Sequence, residues 1–318
     1  MRRVFVALAG SLVLIGAALF YIVKERQDVT MAAPAAERLA LTSGQLLFRD
    51  TDSGQVAAVS LTDPGGARRV SGVRCDRFAV ARQTVAQQTA VCLIAQPGVL
   101  PPVTDILILD GNLAVRHRET LPGVPSRARV SPDGKLVAWT LFVTGDSYAA
   151  TGFSTRAGLF EVDTGRLVKT IEELAVFVDD RRYFASDVNY WGITFADGNR
   201  FYASLGSKGK TYLIEADYPH YRGKAIRDNV ECPSLSPDGT RIAFKKKVAD
   251  GVWRLAVLDL ATLRETELTE SRSVDDQALW QDDSTILYGL DSAVWAVPAD
   301  GTGSPRLLVR NAASPAVT

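Results

Sequence analysis

The chain has 318 residues, of which 36 are Lys or Arg and 36 are Asp or Glu, so its formal net charge is 0. A chain without excess positive charge lacks the electrostatic footprint that phosphate binding requires, which excludes a nucleic-acid partner. The 2 His and 3 Cys are too few for a histidine-rich metal centre or a four-cysteine zinc site. The hydrophobic content of 47% excludes wholesale disorder.

Residues 4–23 form an apolar run without a charged residue, and charged residues flank it on both sides. About 20 helical residues suffice to cross the hydrocarbon core of a bilayer. The run is longer than the ~7–15-residue core of a cleaved signal peptide, which is the alternative interpretation. The sequence therefore predicts an uncleaved single-pass membrane anchor within residues 1–28, a tether over 29–38, and a body outside the cytoplasm.

Beyond the tether the chain repeats. Segments 129–139 and 234–244 each place Ser-Pro-Asp-Gly between two short apolar stretches, and weaker copies occupy 193–202 and 278–288. Asp-Gly supplies the positive φ that a tight hairpin requires. Two further apolar stretches follow most copies, so a four-stranded unit recurs about every 40–45 residues, the period of a propeller blade.

Six such units are predicted in residues 39–309. Their first strands are placed at Leu41, Val80, Val130, Thr194, Leu235 and Leu279. The first unit is expected to begin with a strand at Leu39–Leu41 that pairs with Gln45–Phe48. Because no segment of the body shows a 3.6-residue apolar period, an α/β layout is disfavoured. The predicted fold class is all-β, a six-bladed propeller of four-stranded blades spanning residues 39–318, preceded by one transmembrane helix.

The Ser-Pro-Asp-Gly segments 131–134 and 236–239 resemble the repeats of TolB-like six-bladed propellers, and segments 229–244 and 294–302 match best. The resemblance implies the fold. TolB carries an α/β domain before its propeller, and that domain contacts partners of the Tol envelope system. Here only residues 29–38 separate the predicted anchor from the propeller, so the resemblance does not imply the Tol role. Propellers serve as scaffolds, lectins, lactonases and peptidase gates, and the fold does not specify the function.

The sequence contains no catalytic motif that would support an enzymatic function. The sequence contains no G-x-S-x-G nucleophile elbow, and no hydrolase domain follows the propeller, which disfavours a peptidase of the prolyl-oligopeptidase type. We therefore predict that the chain is not an enzyme.

Two of the cysteines are expected to pair. A hairpin register centred between them places Phe78 opposite Thr89 and Cys75 opposite Cys92, at a separation that a disulfide can use. The bond would require an oxidising compartment, and the alternative is two buried thiols. Cys232 is expected to be buried without a disulfide partner.

The loops that enter the inner strands form one rim of a propeller channel, and three of them are rich in oxygen donors. The candidate ligand-binding residues in these loops are Asp187, Asn189, Trp191, Asn229, Glu231, Asp275 and Asp276. Such oxygens suit Ca²⁺ or a cationic group of a peptide, and no other cofactor is expected. The alternative is that the Asp and Asn residues cap turns.

These observations predict an extracytoplasmic propeller, tethered to the cell membrane by residues 4–23, that binds a protein or peptide in an envelope or translocation-related assembly. One alternative is a metal-dependent, lactonase-like hydrolase, which would need carboxylates and amides from opposite blades around the channel axis. The candidates lie instead on the last three blades, which favours binding. The other alternative is a structural envelope protein without a ligand.

Overall fold

The structure is a computed structural model, and it describes residues 39–82, 88–144 and 153–318. The predicted anchor and tether, residues 1–28 and 29–38, lie outside these ranges. Within them the regular elements are 26 β-strands. No helix among the described residues has the length and apolar character to cross a membrane.

The first thirteen strands are β1 (Gln45–Asp50), β2 (Gln55–Ser60), β3 (Arg69–Arg74), β4 (Arg77–Val80), β5 (Ala90–Ala95), β6 (Val103–Leu109), β7 (Val115–Pro122), β8 (Val124–Val130), β9 (Leu136–Thr144), β10 (Phe153–Glu161), β11 (Leu167–Val168), β12 (Ala175–Val178) and β13 (Arg181–Arg182). The other thirteen are β14 (Asn189–Phe195), β15 (Arg200–Ser207), β16 (Lys210–Asp217), β17 (Arg222–Asp228), β18 (Glu231–Leu235), β19 (Arg241–Ala249), β20 (Val252–Asp259), β21 (Glu265–Glu267), β22 (Leu279–Trp280), β23 (Thr285–Leu290), β24 (Ala293–Pro298), β25 (Arg306–Arg310) and β26 (Ala312–Val317).

The strands form six sheets, which are the blades of a propeller, so the predicted all-β, six-bladed propeller is confirmed. Blade one has the order β26-β1-β2-β3, blade two β4 to β7, blade three β8 to β11, blade five β18 to β21 and blade six β22 to β25. Each of the innermost strands β26, β4, β8, β14 and β18 contacts the next one around the ring, β18 contacts the innermost strand β22 of blade six, and β26 contacts β23 of the same blade. These strands therefore line the central channel.

The prediction for the first blade was wrong in one respect, because its inner strand comes from the other end of the chain. Strand β26 pairs antiparallel with β1, with Leu46 opposite Val317. The predicted strand at Leu39–Leu41 is not a strand. Leu39 and Leu41 are instead buried, and the Leu41 N–H donates a 2.7 Å hydrogen bond to the Gly111 carbonyl in blade two.

Blade four departs from the four-stranded plan, because its sheet has the order β13-β12-β17-β16-β15-β14. Strand β12 runs parallel to β17 and extends the sheet outward. The extension fills the long interval between the predicted first strands of blades three and four. Two short strands without an Asp-Gly turn carried too little local signal for the sequence to indicate them.

The Ser-Pro-Asp-Gly repeats build the turns between the first two strands of blades three and five. The Ser131 hydroxyl donates to Asp133 at 2.6 Å and accepts from the Leu136 N–H at 2.9 Å. Ser236 makes the corresponding bonds in blade five, where its hydroxyl donates to Asp238 at 2.5 Å. Gly134 has a φ of 74°, in the left-handed region that favours glycine. The motif is therefore explained as turn chemistry.

A disulfide joins Cys75 to Cys92, with their Cα atoms 5.4 Å apart. The strand register on which this pairing was expected was wrong, because Phe78 lies opposite Cys92 rather than Thr89. Cys75 precedes β4 and stands outside the ladder. The disulfide therefore ties the connection between blades one and two to the second strand of blade two. Cys232 is a free, buried cysteine.

Candidate functional site

All inner strands run in the same direction, so the connections that enter them meet at one end of the ring. We call this end the channel mouth. It is marked by the residues at which the inner strands begin, namely Arg77, Val124, Asn189, Glu231, Leu279 and Ala312. The candidate ligand-binding residues precede the inner strands of blades four to six or lie within their first three residues, so they are at the mouth.

Asp187 and Asn189 stabilise the loop that enters blade four. The Asp187 carboxylate accepts hydrogen bonds of 2.6 Å from the Ser207 hydroxyl and from the Lys208 N–H, which lower the pKa of Asp187. The Asn189 side chain accepts from the Thr155 N–H at 3.1 Å and donates to the Asp187 carbonyl at 3.1 Å. These oxygens are engaged in ordering the loop.

Trp191 and Asn229 also have local partners. The Trp191 ring lies over Gly206 so closely that a Cβ at that position would approach it to 2.8 Å. The Asn229 side chain accepts from the Lys247 N–H at 3.1 Å and donates to the Lys247 carbonyl at 3.0 Å. Asn229 has a φ of 52° and therefore closes the turn between β17 and β18.

Glu231 and Asp275 are brought together by a lysine. Lys245 is 4% exposed, and its ammonium lies 3.6 Å from the Glu231 carboxylate and in direct contact with the Asp275 carboxylate. The same ammonium lies 4.4 Å from the centre of the Trp253 ring. From blade three, the Arg127 guanidinium donates to the Asp275 carbonyl at 3.2 Å and lies 3.7 Å from its carboxylate. The predicted acidic mouth is therefore a network of both charge signs.

Asp276 faces blade six. Its carboxylate accepts a 2.9 Å hydrogen bond from the Gly289 N–H, and a Cβ at Gly289 would come within 2.8 Å of it.

A Ca²⁺ ion at the mouth would have to compete with these donors and with the Lys245 ammonium for its oxygen ligands. Within residues 39–82, 88–144 and 153–318, no three His, Cys, Asp or Glu side chains are grouped to hold a metal ion.

Four arginines that sequence reasoning missed lie along the channel, Arg77 and Arg82 in blade two and Arg127 and Arg129 in blade three. Arg77 donates through Nε to the Ser126 carbonyl at 2.6 Å. Arg82, Arg127 and Arg129 reach blade six or the connection that enters it, where each donates to a backbone carbonyl. A sequence signal did exist, because alternate residues of a strand share a face and place Arg127 and Arg129 on the same side of β8.

Burial is the main influence on these arginines. It lowers the pKa of Arg77 and Arg82, and it lowers the pKa of Arg129 to about 10, although Asp276 acts in the opposite direction on Arg129. Arg127 differs because Cys232, Asp276 and Asp275 outweigh its burial and raise its pKa. At neutral pH all four guanidinium groups are charged.

The mouth also carries exposed apolar side chains. We call Val99, Leu100, Val124 and Phe142 the apolar rim. Leu100 is 88% exposed in the connection between β5 and β6, and Val124 lies opposite Phe142 in the ladder of β8 and β9. The Gly123 N–H donates to the Pro102 carbonyl at 2.8 Å, which holds the Leu100 loop beside the start of β8. The apolar rim thus spans blades two and three.

Comparison of the sequence with known protein families finds no family model that matches. Comparison with curated proteins likewise finds no match. The fold, in contrast, resembles solved structures. TolB from Acinetobacter baumannii superimposes with a TM-score of 0.57 at 15% identity, over 86% of this chain and 65% of TolB. The chain thus spans somewhat less than two thirds of the length of that protein.

Two enzymes have the same kind of propeller. A puromycin-hydrolysing peptidase from Mycobacterium tuberculosis matches with a TM-score of 0.52 at 19% identity, over 86% of this chain and 44% of the peptidase. An oligogalacturonate lyase in complex with manganese matches with a TM-score of 0.51 at 14% identity, over 84% of this chain and 74% of the lyase.

These comparisons correct one prediction. The prediction that the chain is not an enzyme was wrong, because a peptidase and a lyase carry this fold. The absence of a hydrolase motif within a propeller therefore does not decide whether the protein is an enzyme. At these identities the similarity concerns the architecture, and the chain has the propeller fold of TolB, as the Ser-Pro-Asp-Gly repeats indicated.

Proposed function

We propose that this chain is an extracytoplasmic propeller, tethered to the cell membrane, that binds a protein partner at its channel mouth. The observation that carries the proposal is the apolar rim. Four apolar side chains, Val99, Leu100, Val124 and Phe142, are exposed at one end of the ring in the neighbouring blades two and three. Exposed apolar patches that are rimmed by polar residues are typical of protein-interaction sites.

The charged network beside the rim supports the same interpretation. Protein interfaces combine an apolar centre with polar groups that fix the orientation of the partner. Arg127 connects the two regions, because it follows Val124 by three residues in β8 and its guanidinium lies 3.7 Å from the Asp275 carboxylate. A partner that covers Leu100 would thus reach the charges around Asp275.

The location is supported by two features of the chain. Residues 4–23 are long and apolar enough to serve as an anchor. The disulfide between Cys75 and Cys92 fits an oxidising compartment, where such bonds persist.

Site-specific photo-crosslinking in intact cells tests the proposal. A photoreactive amino acid at position 100 or 124 of the full-length protein should give a discrete adduct with a partner protein. Val115, which is 53% exposed on the outer strand β7, is the matched control position and should give none. Leu100→Asp should abolish the adduct at position 124, and Val115→Asp should not. Equal adducts at positions 100 and 115, or none at 100 and 124, would contradict the proposal.

A further inference from the structure

A cavity of about 70 Å³ lies in the central channel at the end opposite the mouth. Each of the six inner strands contributes to its wall. The contributing residues include Val80, Val130, Thr194, Leu235, Leu279 and Ala316. The cavity is therefore on the axis of the ring, where every blade meets, and it is partly open to solvent.

Two cations line this otherwise largely apolar cavity. Arg82 donates through Nη2 to the Trp280 carbonyl at 2.6 Å, and Arg129 donates through Nη2 to the Ala278 carbonyl at 2.9 Å. A carbonyl oxygen accepts a hydrogen bond but carries no full negative charge, so the charges are offset only by carboxylates that make no ion pair with them, Asp282 and Asp283 for Arg82 and Asp276 for Arg129. Among the described residues, no Asp or Glu oxygen lies within 4.0 Å of a nitrogen of either guanidinium.

Arg129 also has an unused donor. Its Nε is buried and has no hydrogen-bond partner among the residues that the structure describes. A buried N–H without an acceptor is costly, and such groups in native proteins usually have a partner. The cost is larger when the group carries a charge. Two positively charged side chains therefore line the cavity, and one of them carries a buried N–H that lacks an acceptor in the described part of the chain.

The walls specify the chemistry of the occupant. A planar carboxylate can accept two parallel hydrogen bonds from the fork of an arginine. Val130, Leu235 and Leu279 offer an apolar surface that suits an alkyl chain and does not suit the oxygens of a phosphate. The carboxylate of Asp276, which acts electrostatically on Arg129, further disfavours a doubly charged anion.

We propose that this cavity binds the carboxylate of a short aliphatic acid between the guanidinium groups of Arg82 and Arg129, with the alkyl part against Val130, Leu235 and Leu279. The proposal does not depend on a partner at the mouth. The carboxylate has two sources, a free small acid or the carboxyl terminus of a peptide, which share this chemistry.

The test is thermal unfolding of the full-length protein in detergent with sodium butyrate as the probe, at constant ionic strength set with sodium chloride. Saturating butyrate should raise the Tm by about 2–4 °C, and neutral butyramide should not. Arg82→Gln and Arg129→Gln should lose the increase. Arg306→Gln, which removes an exposed arginine from the outer strand β25, should keep it.

Further measurements test the role of the arginine fork and distinguish the two sources of the carboxylate. If Arg129→Gln does not fold, Arg129→Lys keeps the charge and loses the fork, and it should bind butyrate about tenfold more weakly. A tetra-alanine peptide that stabilises only with a free carboxyl group would support a chain terminus as the source; stabilisation by butyrate alone would support a free acid. The proposal is overturned if butyramide stabilises equally, if Arg82→Gln and Arg129→Lys respond like the wild type, or if phosphate stabilises as much as butyrate.

Discussion

Leu46 of β1 lies opposite Val317 of β26, so the first blade is completed by a strand from the far end of the sequence. Propeller blades bury their faces only against neighbouring blades, and the ring depends on this pairing to remain closed. The inner edge of β1 would be an unpaired strand edge without β26. Closure of the ring therefore depends on the six residues of β26, which belong to no Asp-Gly hairpin.

Deletion of residues 312–318 tests this closure. We expect the shortened protein to be insoluble or to lose its cooperative unfolding transition, because the edge of β1 is exposed and the channel loses one wall. Urea unfolding followed by circular dichroism is the measurement. A synthetic peptide of residues 311–318 added in trans should partly restore the transition, which controls for damage elsewhere. A soluble fragment with an unchanged midpoint would rule out β26 as the closing strand.

The disulfide should contribute to stability through the unfolded state. Cys75 and Cys92 are separated by 17 positions, and closing a loop of this size stabilises a protein by about 3 kcal/mol. The double substitution Cys75→Ser with Cys92→Ser should lower the free energy of unfolding by roughly that amount. Reductant should lower the urea midpoint of the wild type and leave that of the double variant unchanged. Cys232→Ser is the control and should retain the sensitivity to reductant.

Glu270 makes stability depend on pH. Its carboxylate accepts hydrogen bonds of 2.9 Å and 2.6 Å from Arg272 and a further bond from the Tyr288 hydroxyl. Burial alone would raise the pKa of Glu270, but these donors lower it from 4.5 to about 2. A depressed pKa in the folded state stabilises the protein above the unfolded-state value, and this contribution is lost as the pH falls from 4.5 toward 2.

Glu270→Gln should therefore lower the free energy of unfolding at pH 7 by up to about 3 kcal/mol. The difference from the wild type should shrink as the pH is lowered through 4.5 and nearly vanish close to pH 2. Urea unfolding at several pH values measures it. Glu267→Gln, at an exposed position of β21, is the control and should show no such trend. A pH-independent difference would mean that the side chain acts through packing.

The inner strands of five blades were predictable because two apolar stretches joined by a polar turn are a local feature, with Asp-Gly in that turn in blades three, four and five. Val80, Val130, Thr194, Leu235 and Leu279 all lie in inner strands, as expected. The inner strand of blade one could not be found in this way. Its sequence, Ala-Ala-Ser-Pro-Ala-Val, does not alternate, and its partner is far away in the chain. Ring closure is a long-range property that no local pattern encodes.

The candidate site was predictable only in its position. The loops correctly indicated that Glu231 and Asp275 lie at the mouth, since the direction of the inner strands follows from the repeats. Their partners come from elsewhere. Lys245 is on the second strand of blade five, and Arg127 reaches Asp275 from blade three across the channel. Contacts across the axis arise from the closed ring, so the sequence indicated the oxygens and missed the cations that neutralise them.

The two acidic partners of Lys245 differ in their exposure to solvent. The Glu231 side chain is 11% exposed, whereas that of Asp275 is 61% exposed. Water and salt screen an exposed ion pair, which is typically worth about 0–1 kcal/mol. Loss of a buried partner leaves the Lys245 ammonium less compensated and costs more, about 1–3 kcal/mol for a hydrogen-bonding replacement. Glu231→Gln should therefore destabilise the protein more than Asp275→Asn, although Asp275 makes the closer contact.

Urea unfolding in low and high salt measures both effects. At about 1 M NaCl, where the Debye length is near 3 Å, the cost of Asp275→Asn should nearly disappear, and the cost of Glu231→Gln should persist. Lys245→Met provides the matched background, because it removes the shared cation and keeps an unbranched side chain. In that background Glu231→Gln should no longer destabilise, since a buried carboxylate without its cation gains from neutralisation. If Asp275→Asn is the more costly change in both salt conditions, the mouth is held by the exposed pair and the buried one is incidental.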